Sequence, residues 1–239
     1  GVDVLLVGDS LGMVVQGEPD TLRVSVDDVA YHCRCVAAAR PRALVVADMP
    51  WMSYHVSDRE AVRNAGRLVQ EGRAQAVKLE GGRRRASAIR AILDAEIPVM
   101  GHVGLTPQSL HVMGGFKVQG RDALRAEEIL EDAVAVQEAG AFAVVAEGVP
   151  ADLGARLTER LAVPVIGIGA GAHCDGQVLV WHDVLGLGEG PSPRFVRRYE
   201  DLAARIEGAV RRFADDVRSG SFPSVAESYG APAPAARQD

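Results

Sequence analysis

The sequence predicts an α/β fold built on a parallel sheet and closed into a (β/α)8 TIM barrel. Three observations carry that prediction. Short, nearly continuous apolar runs bounded by glycine or proline recur seven times in 239 residues, the pattern of strands buried on both faces. A helical segment follows each run, in units of roughly 25 to 40 residues, the spacing of parallel strands joined by right-handed crossovers. Several runs end in a residue suited to metal or proton chemistry, and a barrel places its reacting groups at the carboxyl ends of its strands.

The organising stretch is Val2 to Met13, VDVLLVGDSLGM, in which Gly8 ends an apolar strand just before Asp9 and Ser10. A loop rich in glycine and polar residues runs from Leu11 to Val24. Ser25 then caps a helix from Val26 to about Ala39, with Asp27 and Asp28 in the first turn where the helix dipole favours acids. Pro41 stops it, and Ala43 to Asp48 is the second strand. Ser57 caps the next helix, Asp58 to about Glu71, and Gly72 ends it. Ala76 to Glu80 is the third strand, stopped by Gly81 and Gly82. Arg83 to Ala95 is helical, its three leading arginines reading as a solvated face. Ile97 to His102 is the fourth strand, and a glycine-rich loop leads to a helix from Ala123 to Ala139. Ala141 to Glu147 is the fifth strand, followed by a helix from Pro150 to near Leu161.

The sixth strand is Val163 to Gly169 and the seventh Gln177 to Asp183; helical segments then run from Pro193 to about Arg218. Residues 1–221 thus read as one barrel domain and residues 222–239, rich in proline and alanine, as a mobile tail. Closure takes eight strands, so the first βα unit is expected before Gly1. An open doubly wound sheet is the competing topology, but it usually shows a nucleotide loop. Gly167-Ile-Gly-Ala-Gly171 lacks the GxGxxG spacing and follows a late strand.

Apolar residues make up 48% of the chain and charged residues 24%, proportions of a globular domain with a substantial core. A net charge of −6 disfavours nucleic acid and anionic membrane as partners. No apolar run approaches the ~18 residues that span a bilayer, and no signal peptide opens the chain. Cys33, Cys35 and Cys174 form no disulfide framework or metal-spaced motif, and read as free thiols in a reducing cytoplasm.

Closing the strands gathers Asp9 and Ser10, Asp48, Lys78 and Glu80, His102, and Glu147 at one mouth. Lys78 and Glu80 lie two apart and project to the same side. Converging acids repel unless a cation sits between them, and hard oxygen ligands select Mg²⁺ or a similar ion. Lys78, within an apolar run, has no easy solvated reading, because buried lysines are paired. Capping explains Asp9 and Asp48 poorly, since neither directly precedes a helix; Glu80 beside Gly81 and Gly82 also fits a solvated turn, His102 in an apolar run is more often a hydrogen-bonded core residue than a catalyst, and Glu147 is ambiguous alone. A dication with a carboxylate-gripping lysine suits a 2-oxo acid, with the enolate stabilised by the metal and Glu147 as the base.

The blocks LVGDSLGM, VVADMP, AVKLEGG, GHVGLTPQS, GGFKVQGR, VPVIGIGAG and DGQVLVWHD resemble the ketopantoate hydroxymethyltransferase (3-methyl-2-oxobutanoate hydroxymethyltransferase) family, in order, from Gly1 to about Tyr229. The resemblance implies a barrel of the phosphoenolpyruvate/pyruvate type. The implied reaction transfers a hydroxymethyl group from 5,10-methylenetetrahydrofolate to 3-methyl-2-oxobutanoate, giving 2-dehydropantoate. Asp9 and Asp48 would hold Mg²⁺, with Glu80 near or on it. Ser10 and Lys78, with the metal-binding acids, would contact the oxo acid. Glu147 would accept the proton and His102 would line the site. A cytoplasmic homodecamer is also implied. Two alternatives stand beside this expectation: a Mg²⁺-dependent lyase or mutase of the isocitrate lyase and phosphoenolpyruvate mutase kind, and a truncated barrel that binds oxo acids without turnover.

Overall fold

The structure, a computed structural model, describes residues 1–188 and 192–230. The part of the expected tail at 231–239 lies outside the described residues. Among the described residues, seven strands form a single all-parallel sheet in chain order, β1 (Val4–Val7), β2 (Leu44–Asp48), β3 (Ala76–Lys78), β4 (Val99–Gly104), β5 (Ala143–Glu147), β6 (Val165–Ile168) and β7 (Gly176–Gln177). Every neighbouring pair is parallel. The helices are α1 (Leu11–Val14), α2 (Val26–Ala38), α3 (Asp58–Gln70), α4 (Ala86–Asp94), α5 (Leu110–Met113), α6 (Ala123–Glu138), α7 (Ala151–Arg160), α8 (Trp181–Leu185) and α9 (Leu202–Ser219). The chain divides into two compact units: Gly1–Val180 with Pro193–Val196, which holds the sheet and α1–α7, and Trp181–Ser192 with Arg197–Asp239, which holds α8 and α9.

The helix starts are chemically explicit. Ser25 and Asp28 form a reciprocal capping box at α2, Ser57 accepts from the Glu60 N–H at α3, and Asp122 accepts from the Arg125 N–H at α6. In the sheet, side chains alternate between two faces. One face carries Val45, Ala47, Val77, Leu79, Val99, Val103, Val144, Ala146 and Val165, which join Val29, Leu68, Ile89, Ile129, Val136 and Leu157 of the helices in the main core. Gly101 lies on that face, and a Cβ there would sit 2.2 Å from Cγ1 of Val136, so its lack of a side chain lets α6 approach β4.

The opposite face carries a smaller cluster of Val46, Ala76, Met100, Ala143 and Val145, with Leu6, Phe142 and Ile166 against it. Two residues further along β2, β3, β4 and β5, the same face presents Asp48, Lys78, His102 and Glu147. Strand periodicity therefore stacks the charged groups directly beyond a small apolar floor.

Several expected elements differ: the loop expected from Leu11 opens with α1, the loop after β4 holds α5, and the third strand ends at Lys78 rather than Glu80. The seventh strand, expected over Gln177 to Asp183, is only Gly176–Gln177, and Trp181–Leu185 is helical instead. The β6–β7 pairing ends at Gly167 with Gln177, and Val178 then donates to the Gly167 carbonyl as the chain leaves the sheet. The helix expected from Pro193 begins at Leu202, where the Asp201 side chain accepts from the Ala204 N–H and fixes the start.

Candidate active site

Five polar side chains are buried together beyond the floor: Asp9, Lys78 and Glu80 at 4% exposure, Asp48 and His102 at 2%. Register builds the centre. Asp48 stands opposite Lys78 in the β2–β3 pairing, and Lys78 Nζ donates to Asp48 Oδ1 at 2.6 Å while lying 4.0 Å from Glu80 Oε1. Asp9 occupies the turn after β1, and its backbone N–H donates to Asp48 Oδ2 at 3.3 Å. His102 on β4 bridges the remaining acids, its Nδ1 3.5 Å from Glu80 Oε1 and its Nε2 3.2 Å from Glu147 Oε2. Both contacts are off-axis, so neither ring nitrogen completes a well-aligned hydrogen bond. Glu147 ends β5 and keeps 17% of its side chain exposed, unlike the sealed acids. The Ser10 hydroxyl makes no capping bond at the head of α1.

The electrostatics follow from burial and mutual proximity. Burial would deprotonate Lys78, but Asp48, Glu80 and Asp9 outweigh it and hold the ammonium charged. Burial pushes Asp48 upward, with Glu80 adding to it and the Lys78 charge opposing. Burial and the neighbouring Asp48 and Glu80 charges lift the Asp9 carboxyl well above the usual carboxylate range, against Lys78 and a hydrogen bond from Gln108. Glu80 goes the other way: burial would raise it, but His102, Lys78 and the Gln108 backbone N–H hold it low. For His102, burial and Lys78 push down, and the flanking Glu147 and Glu80 carboxylates carry it up to about 9.

Lys78 and His102 do not fully balance the sealed Asp9, Asp48 and Glu80 with Glu147 beside them, and burial with mutual repulsion raises Asp9 and Asp48. Their hard oxygen donors fit a small dication such as Mg²⁺, which takes one or two carboxylates and fills its remaining positions with water and substrate. Among the described residues, no group of three histidine, cysteine or acidic side chains forms a ready metal cage. Glu80 is already engaged, its Oε2 accepting from the Gln108 N–H at 3.1 Å and its Oε1 facing His102 and Lys78.

A family model for ketopantoate hydroxymethyltransferase matches residues 1–225. The chain belongs to the ketopantoate hydroxymethyltransferase family. It is 58% identical over 229 residues to the 3-methyl-2-oxobutanoate hydroxymethyltransferase of Pelobacter propionicus, covering 96% of this chain and 85% of that protein. Identity to the enzyme of the same name from Geobacter sulfurreducens is also 58% over 229 residues, covering 96% and 86% of the two chains. Among solved structures, 2,3-dimethylmalate lyase, a PEP mutase/isocitrate lyase superfamily member, superposes with a TM-score of 0.53 at 16% identity, covering 94% of this chain and 77% of that one. That likeness is one of fold alone. Among the described residues, no helix is long and apolar enough to cross a membrane.

The structure brings Asp9, Asp48, Lys78, Glu80, His102 and Glu147 into one network, with Ser10 beside it. Sequence reasoning missed two members. Tyr54, 2% exposed in the loop after β2, takes a hydrogen bond from the Glu80 N–H at 3.1 Å and lies 2.5 Å from Gln108 Oε1. Gln108, 5% exposed after β4, donates from Nε2 to Asp9 Oδ2 and to the Met49 carbonyl, both at 2.9 Å. Gln108 lies inside the GHVGLTPQS block, which is the only signal that could have raised it.

Proposed function

We propose that this family member transfers a hydroxymethyl group from 5,10-methylenetetrahydrofolate to 3-methyl-2-oxobutanoate, giving 2-dehydropantoate. The observation that carries the reading is that Glu147 keeps solvent access at the edge of a cluster whose other acids are sealed. A carboxylate so placed can reach a substrate carbon, while Asp9 and Asp48 are committed to holding charge. Asp9 and Asp48 would hold Mg²⁺, with Glu80 bracing the cluster from its neighbours. When bound, the dication supplies Lewis-acid polarisation of the oxo acid's keto group.

The remaining work falls to the chain's own side chains. Lys78 and the unengaged Ser10 hydroxyl orient the oxo acid's carboxylate. Glu147 removes the proton from C3, the carbon next to the keto group, and that carbon then bonds to the one-carbon unit, with water supplying the hydroxyl oxygen and tetrahydrofolate leaving. His102, carried up to about 9 by its flanking carboxylates and 3.2 Å from Glu147 Oε2, holds the base in place before the transfer. Family membership supports a cytoplasmic homo-oligomer with no nucleic-acid partner, and the chain-order parallel sheet supports a barrel of the (β/α)8 kind. Such a barrel takes one further βα unit between β7 and β1.

Proton exchange isolates the first chemical step. With 3-methyl-2-oxobutanoate and Mg²⁺ in D₂O, and no folate, the C3 proton should exchange with solvent by NMR. Glu147→Gln should slow that exchange by ~10²- to 10⁴-fold, the range for loss of a general base, and Asp9→Asn should abolish its metal dependence. Exchange at the wild-type rate in Glu147→Gln removes Glu147 from the role of base.

A further inference from the structure

Among the described residues, Gln108 is the one neutral side chain that donates to the buried carboxylates, and it is fully committed there. Its two amide protons go to Asp9 Oδ2 and to the Met49 carbonyl, each at 2.9 Å, and its amide oxygen lies 2.5 Å from the Tyr54 hydroxyl. A carbonyl only accepts, so the Met49 contact fixes which end of the amide is nitrogen. Turning the amide over would set its oxygen against both the Met49 carbonyl and the Asp9 carboxylate. Tyr54 enforces the same choice: its oxygen already accepts the Glu80 N–H at 3.1 Å, so its proton is free for Gln108. The Glu80 carbonyl, at 3.3 Å, competes for that proton at longer range. The backbone N–H of Gln108 meanwhile donates to Glu80 Oε2 at 3.1 Å.

We propose that Gln108, locked in one amide orientation by Tyr54 and the Met49 carbonyl, is the positioning residue that presents Asp9 to the divalent cation. By occupying Asp9 Oδ2 it would leave Oδ1 to serve the ion, and by anchoring to Glu80 it sets the loop after β4 across the acids. The assignment rests on the reading of Asp9 as a metal-holding residue. Outer hydrogen bonds of this kind orient ligands, and their removal typically weakens metal binding by about 10- to 100-fold.

The test is Mn²⁺ binding, followed by isothermal titration calorimetry and by the electron paramagnetic resonance spectrum of the bound ion, with no substrate present. Gln108→Leu should raise the Mn²⁺ Kd by about 10- to 100-fold and alter the bound-ion spectrum, and should also lower the metal-free thermal midpoint, because the Met49 carbonyl and the Tyr54 hydroxyl lose a buried partner. Tyr54→Phe keeps the amide but frees its far end. It should raise Kd by about three- to tenfold, the scale of one neutral hydrogen bond, and it carries the test if Gln108→Leu does not fold. Wild-type Kd and spectrum in a folded Gln108→Leu, or in Tyr54→Phe where only that variant folds, would overturn the assignment and leave the metal reading standing. A wild-type protein that binds no Mn²⁺, or an Asp9→Asn variant that binds it unchanged, would overturn both.

Discussion

At the scale of single residues, the Lys78–Asp48 pair dominates the energetics because both partners are sealed from water. Replacing buried pairs with apolar groups can be neutral, but removing one partner leaves a charge with no counterion. Lys78→Ala should therefore lower stability by about 3–5 kcal/mol, read from denaturant unfolding at neutral pH. The exposed pair of Arg125 with Glu128 offers a contrast, and Arg125→Ala should change stability by less than about 1 kcal/mol. His55 gives a pH signature of its own. Burial, then the Arg85 charge, depresses it to about 4, and its Nδ1 accepts the Met52 N–H at 3.2 Å, which requires that nitrogen to be bare. The unfolded chain titrates near ~6.5 and binds the proton first, so this contribution is complete above that pH and lost as pH falls toward 4. His55→Gln should flatten the fall of the unfolding midpoint across that window relative to the wild type; parallel curves would show that His55 is not its source.

At the scale of elements, close approaches override local propensity. Gly154 sits within α7, where alanine is intrinsically favoured by about 1 kcal/mol, yet a Cβ there would lie 2.0 Å from the Ala170 carbonyl oxygen. Gly154→Ala should therefore lower the thermal midpoint, by the equivalent of about 1–3 kcal/mol, and a rise would mean that α7 can shift without penalty. The elements show where sequence reading succeeds and stops. Strands β1 to β6 were legible because each is a dense apolar run with a breaker on its carboxyl side, and their ends exposed Asp48, Lys78, Glu80, His102 and Glu147 together. The run around Val178 to Trp181 looks the same in composition, yet it leaves the sheet after Gln177 and turns helical at Trp181. Tyr54 and Gln108 stand in loops with no periodicity, and their value depends on two chain segments 54 positions apart meeting at Glu80. No local pattern encodes such a meeting.

At the scale of the whole molecule, protection should be uneven. Strands β2 to β5 lie almost wholly in the buried class, whereas α9 has no buried residue, and Ile206, Val210 and Phe213 are each more than half exposed. Backbone amides in α9 should exchange with deuterium orders of magnitude faster than those of β3 and β4; equal protection across both would show one cooperative unit. The placement of Lys78 against Asp48 also bears on how the chain assembles. Were β3 to pair one position out of step with β2, the ammonium would swing into the oily layer beneath the helices, and its carboxylate would be left stranded on the far side. Such a misaligned sheet would forfeit a buried counterion on each side at once. The groups that serve the chemistry thus act as proofreaders of strand alignment, rejecting the wrong pairing before any substrate arrives.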